Sequence, residues 1–326
     1  MIADDLTGAC DAAVAFAARG LRSTVWLNPA AAPFHEGVNA ISTDTRDAPP
    51  EAFRDALSRL PALEPCLIFK KIDSTLRGHP GAEIAILLET FACDTAIITP
   101  AFPAMGRTVE NGWLRVAGAP DFTPIHVATR LSLAGPRFTA VDAASDRDLD
   151  DIVATGLASH SRILWAGSAG LASALARALG GAPLDTPRPA LQRGVLFIIG
   201  SDHPVTLEQQ QRLLACRPTV QDGDRESIRA ALDCGEHVML RFPRGGEISD
   251  RLLAVHGHAA ALALSGGDTA SAVCRALGTT HIELVGEIAP AIPHGFLDGA
   301  ARVATKSGAF GAPDALIQIA DFFQCP

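Results

Sequence analysis

Two neighbouring carboxylates near the start of the chain are the first residues whose type and spacing could do chemistry. Asp4 and Asp5 lie between a short apolar segment, which predicts a strand, and an alanine-rich stretch that predicts a helix from about residue 9. At the carboxyl end of a strand, such acids can accept hydrogen bonds from sugar hydroxyls or remove a proton from one as a general base. An aspartate here can equally cap the helix. Because neighbouring strand residues point to opposite faces, we expect only one of the two to face a ligand.

A basic segment at residues 70–81, KKIDSTLRGHPG, is the second candidate. It follows a predicted buried strand, precedes a predicted helix, and carries Lys71, Asp73, Ser74 and Arg77. Cations and small hydroxyls at a helix N-terminus suit a carboxylate or a phosphate, because the helix dipole and the charged donors both favour an anion. In a purely structural interpretation, Arg77 and Asp73 pair with each other and stabilise the turn.

A rigid loop at residues 100–113, PAFPAMGRTVENGW, is the third candidate. This loop also follows a predicted strand, so we expect Arg107 at the same sheet edge as the two earlier motifs. There it could be a second anchor for a carboxylate, or it could simply cover the turn.

Glycine-rich turns in the second half of the chain suit a phosphate group. Gly266 and Gly267 stand between a predicted strand and a predicted helix, where bare backbone N–H groups and the helix dipole can bind an anion. Asp268 could cap that helix or hold Mg²⁺ through water. The turns at 200–206 and 305–311, GSDHPVT and TKSGAFG, carry further hydroxyl, glycine and lysine donors after predicted strands.

Two common nucleotide motifs are absent from the sequence. No GxxxxGK[ST] segment occurs, and no GxGxxG follows a predicted strand, which excludes a P-loop and a dinucleotide-binding fingerprint. Any nucleotide must therefore be held by a different set of loops.

The composition predicts a soluble protein without nucleic acid or membrane partners. The 326 residues carry 27 basic and 36 acidic side chains, a net charge of −9, and no basic run that could follow a phosphate backbone. No apolar stretch approaches the ~18 residues of a membrane span, and the N-terminus lacks a signal-peptide pattern. The seven scattered cysteines form no CxxC pair. We interpret them as reduced thiols, mostly in the core, of a cytoplasmic protein.

Lysine is rare in this chain, and its positions are informative. Only three of the 27 basic residues are lysines, Lys70, Lys71 and Lys306, and all three lie in the candidate motifs. Lysine is a compact point charge on a flexible stem, whereas arginine is a flat fork. The lysines that remain therefore indicate places that the fork does not fit.

Short β-branched segments alternate with alanine- and leucine-rich segments of helical spacing along the chain. This alternation predicts an α/β fold class, with two tandem α/β domains and mostly parallel sheets. Three prolines interrupt the pattern at 180–193, which we interpret as a linker. We therefore expect domains at residues 1–185 and 186–326, with ligands in a cleft between them at the carboxyl ends of strands.

The individual elements follow from the same periodicities. The predicted strands are 23–27, 39–43, 66–72, 95–99, 162–166, 195–199, 237–241, 259–264, 282–285 and 302–305. The predicted helices are 9–19, 50–60, 80–91, 146–159, 168–179, 204–215, 270–277 and 313–323.

Taken together, the motifs resemble one family, the four-carbon acid sugar kinases, which phosphorylate D-threonate, D-erythronate or 3-oxo-tetronates with ATP. The matching segments occur in order along nearly the whole chain: ADDLTGA at 3–9, KKIDSTLRGHPGAEI at 70–84, PAFPAMGRTVENGW at 100–113, SGGDTA at 265–270, and GEIAPAIPHGFLDG with VATKSGAFGAPDAL at 286–316. No single segment is decisive, but five in register make a specific signal.

The resemblance implies that residues 1–185 bind the acid sugar, that residues 186–326 bind ATP with Mg²⁺, and that phosphoryl transfer takes place in the cleft. Carried over by motif, the acid sugar side comprises Asp4, Asp5, Lys71, Asp73, Ser74, Arg77 and Arg107, with Asp4 or Asp5 as the proton acceptor. The nucleotide side comprises Ser201, Gly266, Gly267, Asp268, Thr269, Lys306, Gly308 and Gly311. The identity of any metal ligand stays open, and so does a homo-oligomeric state.

Two other classes of protein stay open as alternatives. A non-catalytic protein that binds an acid sugar or a nucleotide would keep the sites without transfer, and the GSDH turn at 200–203 is compatible with that interpretation. A dehydrogenase or sugar-acid isomerase on two α/β domains is disfavoured by the missing dinucleotide fingerprint. Consumption of ATP that depends on an acid sugar distinguishes the kinase from both.

Overall fold

Strands and helices alternate over most of the chain, of which the computed structural model describes residues 1–29, 32–61, 65–185, 187–221, 223–242 and 250–324. The chain divides into two units. The first comprises Met1–Arg22 and Asn28–Pro183, and the second comprises Ser23–Leu27 and Leu184–Pro326.

The elements up to residue 179 follow one another through short loops. They are β1 (Ile2–Ala3), α1 (Leu6–Ala17), β2 (Ser23–Trp26), β3 (Val38–Ser42), α2 (Pro50–Ser58), β4 (Ile68–Lys71), α3 (Pro80–Thr90), β5 (Thr95–Thr99), β6 (Arg107–Glu110), β7 (Trp113–Val116), β8 (Ile125–His126), α4 (Val127–Leu131), β9 (Phe138–Ala140), α5 (Asp146–Leu157), β10 (Ile163–Gly167) and α6 (Ala169–Leu179).

Parallel strands form the centre of the first unit. Their order is β3-β1-β4-β10-β5-β9, and every neighbouring pair in this series is parallel. Ala3 of β1 pairs with Ser42 of β3 on one side and with Lys71 of β4 on the other. The residues that directly follow these three strands therefore emerge at the same edge. The strands β6, β7 and β8 form an antiparallel sheet of their own.

The elements after residue 194 restart the alternation. They are β11 (Val195–Ile199), α7 (Pro204–Cys216), β12 (Thr219–Gln221), α8 (Arg225–Asp233), β13 (His237–Arg241), α9 (Asp250–Val255), β14 (Ala261–Ser265), α10 (Gly267–Ala276), β15 (His281–Ala289), β16 (Ile292–Leu297), β17 (Ala301–Lys306) and α11 (Ala315–Phe323).

The second unit combines parallel and antiparallel strands. The order β12-β13-β11-β14-β17 is parallel throughout, and β16, β15 and β2 continue it in antiparallel pairing. Ser265 at the end of β14 pairs with Ile199 of β11 and with Lys306 of β17. The turns that follow these three strands therefore also share one edge.

The strand β2 belongs to a different unit from the one expected from the sequence. A boundary at residue 185 places residues 23–27 in the first domain, whereas the structure places them in the second unit. The physical reason is strand pairing, since Ser23 pairs with Leu284 and Trp26 with His281 of β15. A pattern of apolar residues predicts that a strand exists but not which partner it takes.

Burial explains why the central strands form. Every residue of β4, β11 and β14 is buried, and β11 and β14 read as nearly continuous apolar runs, as expected for parallel strands covered on both faces. In the second unit, Phe197 and Ala263 pack in one core cluster with Leu213 of α7 and Phe323 of α11. The predicted α/β class with mostly parallel strands is confirmed. Within the described ranges, no helix is long and apolar enough to span a membrane.

Several elements were not predicted, and the described cysteines are free thiols as expected but are less buried than expected. The antiparallel strands β6 to β8, the strand β16 and the helix α8 have no counterpart in the predicted series. Among the described cysteines, Cys10, Cys93 and Cys274 are buried, but Cys66, Cys216 and Cys234 are exposed. Cys325 lies outside the described residues.

Gly81 in α3 tests the packing of the first unit. Replacing a helical glycine by alanine normally favours the helix by up to ~1 kcal/mol. Here a Cβ would lie 1.8 Å from the backbone oxygen of Leu131 at the end of α4. We therefore expect Gly81→Ala to lower the free energy of unfolding by about 1–3 kcal/mol, measured by urea denaturation. Gly257→Ala, whose Cβ meets nothing within 4 Å, is the control and should change stability by less than ~0.5 kcal/mol. Equal effects of the two substitutions would contradict the packing described here.

Candidate functional site

The first candidate site lies at the carboxyl edge of the parallel strands of the first unit. Asp4 and Asp5 directly follow β1, and both bind the guanidinium of Arg46. Arg46 Nε and Nη2 each donate to one oxygen of Asp4 at 2.9 Å, and Nη2 also donates to Asp5 Oδ1 at 2.7 Å. Both acids therefore reach the same cation. Both can do so because both residues lie beyond the end of the strand. The expectation that only one of them faces a ligand stays a prediction.

Asp5 also caps α1, as one interpretation of the sequence has it. Its carboxylate accepts hydrogen bonds from the backbone N–H of Gly8 at 3.0 Å and from Thr7 Oγ1 at 2.8 Å. A Cβ at Gly8 would come within 2.2 Å of Asp5 Oδ1 and 3.1 Å of Lys71 Nζ. The missing side chain at position 8 thus allows an acid and a cation to approach the same helix N-terminus.

Asp4 is buried among cations. Burial by itself raises its pKa, but the charges of Lys70 and Arg46 outweigh this effect and hold the pKa of Asp4 below its ordinary value. Asp4 is consequently an ionised acceptor with little tendency to take up a proton. It suits electrostatic positioning better than general-base catalysis.

Arg46 is a site residue that the motifs did not include. It follows β3 by four residues, and the backbone N–H groups of Thr45 and Arg46 donate to the carbonyl oxygen of Asp4 at 2.9 and 3.3 Å. Burial opposes its charge, but Asp5 and Asp4 raise the pKa of Arg46 above its ordinary value. One signal was available in the sequence: an arginine shortly after a predicted parallel strand lies at the same edge as residues after its neighbours.

Asp73 stabilises the turn that follows β4. Its Oδ1 accepts from the backbone N–H and the hydroxyl of Thr75, at 3.0 and 2.5 Å, and its Oδ2 accepts from Arg77 Nη2 at 2.7 Å. Burial opposes ionisation, yet the hydrogen bond and charge of Arg77 hold the pKa of Asp73 well below its usual range. The structural pairing of Asp73 with Arg77 is therefore confirmed. The Arg77 side chain remains 60% exposed, so it can also meet an anion from solvent.

Gly78 closes this turn against Asp4. Its φ is +75°, and a Cβ there would lie 3.3 Å from Asp4 Oδ2 and 3.2 Å from the carbonyl oxygen of Arg46. Glycine adopts such a backbone without strain and leaves room for the acid. The turn that carries the buried Ser74 and the exposed Arg77 therefore lies against the residues that follow β1 and β3.

The two lysines of β4 contact different helices. Lys71 Nζ lies near Gly8 at the start of α1, whereas Lys70 Nζ lies 2.7 Å from Glu83 Oε2 of α3. Their exposed fractions are 5% and 0%. Burial raises the pKa of Glu83, against the charge of Lys70. Motif reasoning assigned Lys71 to the site, and the structure adds Lys70 as a buried cation that acts on Asp4.

Arg107 lies within electrostatic range of Asp73. It begins β6, and its Nη1 donates to the carbonyl oxygen of Met105. Burial lowers the pKa of Arg107, while the charge of Asp73 acts to raise it. The loop before it is held at the sheet, since Ser168 Oγ at the start of α6 donates to the carbonyl oxygen of Ala101 at 2.6 Å. The charge of Asp73 thus acts on Arg107, which begins a strand of the separate antiparallel sheet. Its position at the edge shared by the two earlier motifs stays a prediction.

The second candidate site lies where β11, β14 and β17 end in the second unit. The turns after these adjacent strands are bonded to one another: Gly200 N–H donates to the carbonyl oxygen of Ser265 at 3.2 Å, and Gly266 N–H donates to that of Lys306 at 2.9 Å. The three glycine-containing segments found in the sequence are therefore brought together.

Side chains would not fit at several of these glycines. A Cβ at Gly308 would lie 2.1 Å from Ser201 Oγ, and a Cβ at Gly200 would lie 2.0 Å from Thr269 Oγ1. Gly266 has a φ of +110° and Gly311 a φ of +92°, both in the region that glycine tolerates. The result is a backbone-lined surface with hydroxyl groups, which is the type of surface that cradles phosphate.

The helix α10 begins beside this surface. Its N-cap is Gly266, without a side-chain hydrogen bond, followed by Gly267 and the exposed Asp268 in the first turn. Of the two roles suggested for Asp268, the capping role is therefore not found. Thr269 is buried beneath the turn, near Gly200.

Lys306 is enclosed under the loop that follows β17. Its Nζ donates to Thr206 Oγ1 at 3.2 Å and to the carbonyl oxygens of Ser307 and Phe310 at 3.0 and 3.2 Å. The residue is 1% exposed, and burial lowers the pKa of Lys306 to about 7. A cation held by neutral oxygens alone stays only weakly favoured over the neutral amine.

Comparisons with known proteins match these two sites to two families of domain. Residues 1–126 match a model described as a sugar-binding N-terminal domain, and residues 243–316 match one described as a nucleotide-binding C-terminal domain. Solved structures from Salmonella typhimurium LT2 and from Haemophilus influenzae share the fold, with TM-scores of 0.72 and 0.67 at 21% and 22% identity; each alignment covers at least 97% of both chains.

Named relatives cover nearly the whole chain. D-threonate kinases from Bordetella bronchiseptica and Cupriavidus necator are 30% and 32% identical over 98% and 97% of this chain, and over 96% and 95% of their own lengths. A D-erythronate kinase from Heliobacterium modesticaldum is 28% identical over 99% of this chain and 96% of its own length. The chain belongs to the four-carbon acid sugar kinase family.

The buried pair of Lys70 and Glu83 makes a testable contribution to stability. Lys70→Met leaves the Glu83 carboxylate without its cation, so we expect a loss of about 3–5 kcal/mol in the free energy of unfolding. The double variant Lys70→Met/Glu83→Leu removes both charges and should recover most of that loss. Arg212→Met, which breaks an exposed pair with Glu208, is the control and should cost less than ~1 kcal/mol. A double variant as unstable as Lys70→Met would contradict a buried ion pair between Lys70 and Glu83.

The enclosure of Lys306 predicts a pH dependence of stability. Its pKa of about 7 in the fold lies below the ordinary value of 10.5. Between these values the unfolded chain holds a proton that the folded chain has released, so this group makes stability rise as the pH increases from 7 towards 10. The unfolding free energy of the wild type minus that of Lys306→Met should therefore become more positive with pH, by up to ~1.4 kcal/mol per pH unit. Denaturation at pH 7, 8 and 9 measures it, and a constant difference would exclude a lowered pKa.

Proposed function

We propose that this protein is an ATP-dependent kinase that phosphorylates a hydroxyl of a four-carbon acid sugar, with D-threonate, D-erythronate and 3-oxo-tetronates as the candidate substrates. The observation that carries the proposal is the presence of two unlike sites in one chain. One is a cluster of ionised acids and cations after β1, β3 and β4, and the other is a glycine-lined surface after β11, β14 and β17. The kinases named above, aligned over nearly the full chain, support it.

The first site supplies what an acid sugar needs. Arg77 and Arg107 would bind the substrate carboxylate, because a guanidinium can donate two parallel hydrogen bonds to it. Arg77 is exposed enough to do so while still bonded to Asp73. Lys71 adds a compact positive charge at the N-terminus of α1, and Ser74 adds a hydroxyl in the turn.

Asp5 is the better candidate for the proton acceptor. Asp4 has both oxygens bonded to Arg46 and a lowered pKa, which weakens it as a base. Asp5 Oδ2 accepts a hydroxyl hydrogen bond from Thr7, the type of bond that a substrate hydroxyl would make. Phosphoryl transfer needs little from such a base, since its transition state is loose and depends mainly on positioning and charge.

The second site would hold the ATP phosphates. The proposed set comprises backbone N–H groups at Gly267, Gly308 and Gly311, the hydroxyls of Ser201 and Thr269, and the charge of Lys306 beneath the loop. Gly266, whose own N–H donates to the carbonyl oxygen of Lys306, shapes the turn before α10. The absence of a side chain at Gly308 lets the Ser201 hydroxyl lie directly against the loop, since a Cβ there would come within 2.1 Å of Ser201 Oγ. The N-terminus of α10 adds a favourable dipole for a phosphate.

Magnesium fits this site only as a partner of the nucleotide. Among the described residues, no group of three or more His, Cys, Asp or Glu could hold a metal ion. Mg²⁺ that binds ATP usually keeps several waters and needs only one or two protein carboxylates. The exposed Asp268 in the first turn of α10 could be such a ligand. When bound, the ion would neutralise charge on the phosphates.

The mechanism that follows assigns positioning to this chain's own residues. Arg77 and Arg107 fix the carboxylate end of the substrate, Asp5 accepts a hydrogen bond from the attacking hydroxyl, and the glycine-lined loops fix the phosphates. Charge that develops on the transferred group is stabilised by cations and backbone N–H groups. Transfer requires the two ligands to meet in one space, as the sequence predicts.

Substituting Arg77 tests the acid sugar site. The first measurement is ADP release by the wild-type protein with ATP and each candidate acid sugar. We expect Arg77→Met to lower kcat/KM for the acid sugar roughly 30-fold, because a charged hydrogen bond to the carboxylate is lost. This factor corresponds to about 2 kcal/mol. The KM for ATP should change by less than about twofold.

The control is Arg212→Met, an exposed arginine of α7 outside both sites, which should leave all parameters unchanged. Wild-type kinetics in Arg77→Met would remove this arginine from the site. Stabilisation of the wild-type fold by ATP without any ADP release would identify the non-catalytic binding protein instead.

A further inference from the structure

The loop at residues 307–312 is held from below through its carbonyl groups. Thr206 Oγ1 donates to the carbonyl oxygen of Gly308 at 2.7 Å. Gln209 Nε2 lies within hydrogen-bond distance of three more, those of Phe310, Gly311 and Ala312, at 3.2, 3.1 and 2.9 Å. Both side chains come from α7.

Lys306 completes this support. Its Nζ donates to Thr206 Oγ1 and to the carbonyl oxygens of Ser307 and Phe310. Thr206 Oγ1 accepts a hydrogen bond from Lys306 and donates one to the loop, so Lys306, Thr206 and Gln209 form one network around the same carbonyl groups. Thr206 and Gln209 are fully buried, which removes water as a competing partner.

The direction of these carbonyl groups fixes the direction of the N–H groups. In a trans peptide the C=O and the following N–H point in opposite directions within the peptide plane. Since the carbonyl groups of Ser307, Gly308 and Phe310 point towards α7 and Lys306, the next N–H groups, those of Gly308, Ala309 and Gly311, point away from it. Within the described part of the chain these three N–H groups have no hydrogen-bond acceptor.

Outward N–H groups in a short loop make a concave site for an anion. The loop lies against the turn after β11 at Gly308, where a Cβ would meet Ser201 Oγ at 2.1 Å. Thr206 Oγ1 and Gln209 Nε2 bond the opposite side of the loop, where both residues are fully buried.

We propose that Thr206 and Gln209 are positioning residues of the nucleotide site, which orient the N–H groups of the 307–312 loop towards a phosphate group of ATP. The inference rests on the proposed function, because it takes the anion to be part of a nucleotide. It assigns a role to two side chains that the proposed set of ATP-binding residues does not include.

Thr206→Val tests this proposal, because it removes the hydroxyl at nearly constant volume. The dissociation constant for ADP, measured by isothermal titration calorimetry, and the KM for ATP should both rise at least tenfold. The KM for the acid sugar should stay within about twofold of wild type. Thr206→Ser, which keeps the hydroxyl, should restore ADP affinity to within about threefold.

A matched control and a second variant separate positioning from general damage. Thr219→Val, in β12, removes a hydroxyl that donates to the carbonyl oxygen of Arg217. This variant should bind ADP as the wild type does. Gln209→Met is the second variant, used if Thr206→Val does not fold, and it should weaken ADP binding at least fivefold. The thermal midpoint of each variant is recorded so that folded protein is compared.

The results distinguish this inference from the proposed function. Wild-type ADP affinity in a folded Thr206→Val or Gln209→Met variant would overturn the positioning role, and so would a Thr206→Ser variant as weak as Thr206→Val. If neither variant folds, the residues act on stability and the proposal fails. A wild-type protein that binds ADP but releases none from ATP with any acid sugar would refute the kinase, while the ADP titrations would still decide the role of Thr206.

Discussion

Parallel pairing of neighbouring strands is the constraint on which both candidate sites depend. In the first unit, β1, β3 and β4 end at the same level, so residues far apart in sequence, Asp4, Arg46 and Asp73, meet at one edge. In the second unit, β11, β14 and β17 end together in the same way, and their turns are hydrogen-bonded to one another. Any substitution that shifted one of these strands by a residue would separate its turn from the others.

Charge is balanced differently at the two edges. The first site sets three buried acids, Asp4, Asp5 and Asp73, against lysines and arginines in direct contact or close range. The second site places Lys306 among neutral oxygens, where burial weakens its hold on a proton. A triphosphate near Lys306 would favour the protonated form, so binding of a nucleotide and uptake of a proton should be linked.

The lysines show what composition alone could suggest. All three are nearly inaccessible, with exposed fractions of 0% for Lys70, 5% for Lys71 and 1% for Lys306. Exposed positive charge in this chain is carried by arginine, for example Arg77 and Arg212. A narrow buried space accepts the compact ammonium group more easily than the broad guanidinium, which explains why lysine persists at these positions.

The sequence predicts much of the fold but less of the site, for physical reasons. Strands such as Thr95–Thr99 and Val195–Ile199 were predicted with their observed bounds, because continuous apolar runs between turn signals are a local property. The antiparallel strands at residues 107–126 were missed, since only Val109 and Leu114 of their residues are buried and their apolar pattern is weak.

Site residues within a motif were easier to predict than their partners elsewhere. Asp4, Asp73 and Lys306 stand in recognisable segments, but Arg46, Thr206 and Gln209 act through contacts that only the folded chain creates. Which strand neighbours which, and so which side chains meet, is decided by long-range pairing. The predicted cleft between domains and a homo-oligomeric state stay predictions.

The central claim is that the two sites serve one transfer of a phosphoryl group to an acid sugar. Phosphorus-31 NMR of the wild-type protein with ATP, Mg²⁺ and D-threonate, D-erythronate or a 3-oxo-tetronate tests it directly. The account predicts a new phosphomonoester resonance that grows in equal amount with ADP and only when the acid sugar is present. Formation of inorganic phosphate alone, or no change with any of these acids while ATP is bound, would contradict it.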